Sequence, residues 1–133
     1  MKKKQKKMTH TFRNLIGNWA DTDYKILHAC FDFFCDYVEK EKGLEVLKYQ
    51  WTYWKTLPAQ DRKDMGMLVK DVKERTKEAH NVYYEAEDLY NWWKNTFLPQ
   101  ERRGYWNEMK PEFYNIENYQ LTRLIKIRKY LWT

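Results

Sequence analysis

An all-α fold is predicted: a single-domain bundle of four or five helices with one long heptad-patterned helix or helix pair. Three observations carry this. Only 4 glycines and 3 prolines occur in 133 residues, so breaks are few and elements long. Apolar residues recur at three- and four-residue steps over most of the chain instead of alternating. The 43% apolar fraction is largely aromatic, with 7 Trp, 11 Tyr and 6 Phe. Trp and Tyr keep the mean hydropathy at −0.98 yet bury large areas, which is enough for one core at this length.

The first 13 residues, opening MKKKQKKM, contain Lys2, Lys3, Lys4, Lys6, Lys7 and Arg13 and no acid. They read as a basic, disordered tail on a helical domain at 14–133. The tail accounts for the whole net charge of +6, because the rest holds 19 bases and 19 acids. From Arg102 onward bases again exceed acids, so the last helix is basic.

Tyr24–Lys42 is the first expected helix, with Asp21 or Thr22 as N-cap and Gly43 as its stop. Ile26, Leu27, Cys30, Phe31, Phe34, Tyr37 and Val38 form its apolar side, and Phe33 widens it. Leu44, Leu47, Trp51 and Trp54 then give a short second helix, although Gln50–Trp54 also alternates as a strand would. Pro58 suits the start of the next helix. Met65, Leu68, Val72, Ala79, Val82, Ala86, Leu89 and Trp93 follow in a 3-4 register. They predict one long helix of 50 Å or so at about 1.5 Å per residue, or two helices broken near Lys77–Asn81. Antiparallel packing within the chain is the first expectation for this heptad and a homodimer the second. Leu98-Pro99 should close it. QERRGYWNEMKPEF reads as a loop, and Pro111–Trp132 as the final helix.

No apolar run approaches the roughly 18 residues of a membrane span, and no apolar stretch follows the lysines, so neither membrane insertion nor export is expected. Cys30 and Cys35 lie five apart on one helix, about 140° around its axis, too divergent to bridge. They read as reduced thiols of a cytosolic protein.

Three constellations bear on chemistry. His28, Asp32 and Cys35 share a face at i, i+4, i+7, the spacing of a nucleophile–base set or a metal site. Side chains of one helix project nearly in parallel, however, and His28 reads as an ordinary boundary residue. Glu74, Glu78, Glu85 and Asp88 offer oxygen ligands for Mg²⁺, as in all-α nucleotide pyrophosphohydrolases. Both acidic pairs fall on one helix here, so a solvated face is the expectation. Tyr84, Trp92, Lys94, Arg102, Arg103 and Trp132 are the candidate partner-binding residues, since exposed Trp, Tyr and Arg anchor protein interfaces. No catalytic residue, metal or cofactor is expected.

Three stretches, YKILHACFDFFCDYVEKEKG at 24–43, AEDLYNWWKNTFLPQ at 86–100 and LTRLIKIRKYLWT at 121–133, together resemble a group of small tailed-bacteriophage proteins with no assigned activity. That group combines an ILHxxFxxxxDYVEKE-like helix, an LYxWWK element before a proline and an RLIKIRxxLWT-like terminus. The resemblance implies a phage product located in the bacterial host cytoplasm or the virion, and it implies no site residues. The expected function is binding to a phage or host protein, as a virion or assembly component or a modulator of a host machine. One alternative is nucleic-acid association through the tail lysines with Arg123, Lys126, Arg128 and Lys129. A second is a Mg²⁺-dependent nucleotide hydrolase.

Overall fold

The computed structural model describes residues 22–102 and 111–131. The lysine tail, Arg13, Arg103, Trp132 and most of the expected loop lie outside the described residues. Among those described there is no strand, and the all-α bundle is what forms. Its helices are α1 (Thr22–Lys40), α2 (Gly43–Lys55), α3 (Ala59–Asp64), α4 (Val69–Trp92), α5 (Leu98–Arg102) and α6 (Pro111–Ile127), the last followed by a 3-10 turn at Arg128–Tyr130. A π turn at Trp93–Phe97 joins α4 to α5 without a gap, so these two make one rod and the described residues form five helices.

The α1–α2 corner differs from expectation. Lys42, not Gly43, takes the left-handed conformation, with φ 55° and ψ 43°, and Gly43 opens α2. Glycine is needed at 43 for space. A Cβ there would collide with the Tyr37 ring, lying 2.5 Å from Cζ and nearer still to Cδ2 and Cε2. The Tyr37 hydroxyl donates to the Gly43 carbonyl at 3.3 Å. The ring therefore lies flat against bare backbone and locks the corner.

No break occurs near Lys77–Asn81; the chain turns earlier, at Met65–Leu68, where Gly66 has φ +71°. Asp71 starts α4 by accepting the Leu68 backbone N–H at 3.0 Å, satisfying one of the donors a helix start leaves free. The heptad of α4 packs along α2 within the chain, which is the antiparallel arrangement expected.

Pro99 does not close the helix. A proline inside an α-helix clashes with the carbonyl four residues back. The π turn widens the spiral just before Pro99, with the Leu98 N–H donating to the Trp93 carbonyl five residues back, and the helix runs on to Arg102. The extra residue also shifts the register. Continuing the heptad past Trp93 would turn Thr96 and Gln100 inward. Instead Thr96 is exposed, and Phe97, Leu98 and Glu101 face the interior.

The core gathers Leu27, Phe31, Phe34, Cys35 and Tyr37 of α1, Leu47 of α2, Val82, Ala86, Leu89, Trp93, Phe97 and Leu98 of the rod, and Leu124 and Ile127 of α6. At its centre Trp93 stacks on Phe31 at 4.5 Å and 9°, and on Phe97 at 4.5 Å and 12°. Burial of aromatic side chains on this scale dominates the folding energy, and truncating one costs about 3–5 kcal/mol. Glu39 then ties α1 to α4, accepting the Tyr90 hydroxyl at 2.7 Å and pairing with Lys94 at 3.1 Å.

Candidate functional site

The α1 face holding His28, Asp32 and Cys35 is interior. All three are at most 1% exposed, so His28 is no boundary residue. Its ring is enclosed by Tyr24, Trp93 and Phe97, with centroids 4.8, 5.0 and 5.8 Å away. Its Nε2 lies 2.7 Å from Oε2 of Glu101, a residue that reaches it only through the register shift of the π turn. Burial pushes the His28 imidazole down to about 4. Burial, and then the Glu117 carboxylate, push Glu101 up to about 7, opposed by Arg102. Between those values the pair carries one proton across a short bond. It is a buried contact between α1 and α5. Among the described residues no three His, Cys, Asp or Glu side chains are grouped to hold a metal ion.

Glu85 and Asp88 have a partner, Arg123 of α6. Its Nε and Nη2 donate to the two Glu85 oxygens at 2.9 and 2.7 Å, and Nη1 lies 2.8 Å from Asp88. Nη1 also donates to Gln120 at 2.9 Å, and the guanidinium lies 5.5 Å from the Tyr119 ring centre. The two-pronged bond is among the stronger surface ion pairs, and it holds the Glu85 carboxyl below its ordinary range. One interaction thus engages a residue from the basic last helix together with two of the four acids considered as metal ligands. Glu78 and Glu74 stay exposed, about two and three turns away along α4.

A different region is left open. Between Leu47 and Val82 no residue is buried, although the segment holds most of α2, all of α3 and half of α4. The contacts of α1 and α6 with α4 run through Glu85, Asp88, Tyr90, Trp92, Trp93 and Lys94, beyond this segment. Residues 48–81 therefore form a two-helix arm with α3 at its tip. Ring packing holds it together: Trp51 of α2 sits 4.4 Å from His80 and 6.0 Å from Tyr83, and Arg75 covers Trp54 at 5.3 Å. Outward-facing residues include Tyr49 (70% exposed), Leu68 (66%), Val69, Met65 and Tyr53. A groove runs between the helices, lined by Trp51, Trp54, Lys55, Val72, Lys73, Thr76, Lys77 and His80.

The candidate partner-binding residues separate accordingly. Tyr84 is half exposed at the base of the arm, beside His80 and Trp51. Trp92 packs inward on Phe31 at 5.6 Å and Phe97 at 5.3 Å, because α1 covers a second side of the rod. Lys94 is held by Glu39, and Arg102 is exposed. Lys126, Arg128 and Lys129 are exposed along the last helix and its 3-10 turn. The arm's apolar surface was missed because Met65 and Leu68 fit the heptad; the one available signal was Gly66 just between them. Comparison with protein-family models, with curated proteins and with solved structures finds no match.

Proposed function

We propose that this is a non-enzymatic bacteriophage protein that acts in the bacterial host, or in the virion, by binding another protein through its α2–α3–α4 arm. The observation carrying this is a segment of more than thirty residues, 48–81, in which nothing is buried while Tyr49, Tyr53, Met65, Leu68 and Val69 face outward. Folding gains little from holding such surface in water, whereas an interface gains from aromatic and apolar anchors. A single exposed apolar residue would need no explanation; a continuous segment, 48–81, without a buried side chain does. The phage assignment rests on the three resembling stretches, and their best-defined positions lie in the core.

The two alternatives lose support at the same contact. A nucleic-acid role through the last helix has Arg123 already committed to carboxylates, and a hydrolase role has Glu85 and Asp88 committed to Arg123. A photo-crosslinking side chain at Leu68, in phage-infected cells, tests the reading against the same group at exposed Asn118 of α6. The expected result is a discrete adduct with one phage or host protein from position 68 and none from position 118. Adducts from 118 alone, or from neither, refute it.

A further inference from the structure

The groove of the arm has an asymmetric lining. Three of its eight residues are the lysines Lys55, Lys73 and Lys77, and none is a carboxylate. Among the described residues none of the three lysines forms an ion pair; the Lys55 ammonium instead lies 5.4 Å from the centre of the Trp51 ring. Asp71, Glu74 and Glu78 of α4 border a neighbouring hollow with Met67 and Arg75, and Glu74 also lies beside Lys70, Lys73 and Lys77 in another. The groove itself thus presents cations and no acid.

The floor, Trp51, Trp54 and Val72, is apolar and decides between two kinds of anionic ligand. An unpaired nucleic acid strand binds by stacking its bases on open aromatic faces. Trp51 has Lys55 over its ring and Tyr83 stacked on it at 26°, while Arg75 lies over Trp54. Neither ring offers the open platform that bases need. Apolar side chains need only the shallow floor, and carboxylates beside them would meet the lysine rim. Lys73 and Lys77 stand one turn apart, about 5–6 Å, the spacing of two acids on a facing helix.

We infer that the groove between α2 and α4 is the docking site for an acidic amphipathic helix of the partner protein, its apolar stripe on Trp51, Trp54 and Val72 and its carboxylates on Lys55, Lys73 and Lys77. This deepens the binding role proposed for the arm and rests on it. The occupant follows the helix-in-groove mode, with charge choosing the partner and apolar contact supplying affinity.

The full chain is titrated, by fluorescence anisotropy, against a labelled amphipathic peptide of about four helical turns with leucine and phenylalanine on one face and glutamate beside it. A copy with every glutamate changed to lysine and a labelled oligothymidylate are the comparison probes. The glutamate peptide should bind, the lysine copy should not, and added salt should weaken binding. K73E/K77E should weaken it about tenfold by turning attraction into repulsion. K126E/K129E on the last helix should leave it within about twofold, as an independent site. V72A, which keeps the lysines, should also weaken it. Tighter binding of the oligothymidylate, equal binding of the lysine copy, no binding at all, or self-association abolished by K73E/K77E would each overturn the assignment. The crosslink at position 68 reports the arm's role separately, so an adduct there with no peptide binding condemns only the acidic-helix occupant.

Discussion

Replacing Gly43 with alanine sets two effects of opposite sign against each other. Alanine in a helix is favoured over glycine by up to about 1 kcal/mol, so a reading based on helix propensity predicts a more stable protein. The structure predicts the reverse. The new Cβ would fall within the Tyr37 ring, and Tyr37 is 4% exposed among core residues, so the ring has no vacant space to enter. Forcing extra volume into a packed site costs about 1–3 kcal/mol. The long 3.3 Å hydrogen bond to the Gly43 carbonyl adds at most roughly 0.5 kcal/mol. The net loss is about 1–2 kcal/mol, or a fall in melting temperature of roughly 3–8 °C. Thermal denaturation followed by circular dichroism measures it. A double-mutant cycle identifies the cause: in a Tyr37→Val background, which removes the ring atoms, G43A should become neutral or stabilising. A rise in melting temperature for G43A in the otherwise unchanged chain would refute the close approach.

Three further outcomes follow from the buried and paired groups. For R123M, the loss should be roughly 1 kcal/mol near pH 7, modest because Asp88 is 65% exposed and Glu85 40%. Glu85 is depressed in the folded state, so its share of stability is present above its ordinary range and lost as pH falls through the lowered value; the melting difference from the parent should close in acid. For the His28–Glu101 pair, the raised carboxyl loses stability from 4.5 up to about 7, and the depressed imidazole loses it from 6.5 down to about 4. The two slopes cancel between 4.5 and 6.5, which leaves a plateau. E101Q removes one slope, so its melting temperature relative to the parent should fall as pH drops from 6.5 towards 4, and a flat difference would contradict the contact. For the thiols, Cys30 is part-buried and pushed up by burial, and Cys35 is 1% exposed. Alkylation should modify Cys30 slowly and Cys35 only at the rate of unfolding; equal rates at both would contradict the packing.

How far the fold was legible depends on whether a feature repeats. Apolar periodicity pointed to α1, α2, α4 and α6 and to most of the core, because a buried stripe must recur with the helical turn. Departures came where one contact overrides the period. Pro99 was read as a stop because a proline breaks an α-helix, and the π turn that accommodates it has no signature in the residues before it. Glu101 was missed for the same reason, since only the shifted register carries it to His28, 73 positions away. Gly43 was recognised as special but for backbone freedom, when the cause was the ring of Tyr37. Met65 and Leu68 kept the heptad spacing yet lie in the arm, since periodicity marks one side of a helix but does not say whether anything covers it. Trp92 looked like a surface anchor because it lies off the α4 stripe, and α1 packs there. Arg123, Glu85 and Asp88 were assigned to competing ligands, and their mutual contact is a tertiary fact no spacing encodes.

The chain divides into a core secured by residues 27–47, 82–98 and 124–127 and an arm, 48–81, in which no residue is buried. Native-state hydrogen exchange of the free chain, resolved by residue, tests that division most directly. It predicts that amides of 52–80 exchange through local opening well below the global unfolding free energy, while those around Phe31, Leu89 and Trp93 exchange only with global unfolding. Equal protection along the rod from Val72 to Trp93 would contradict it.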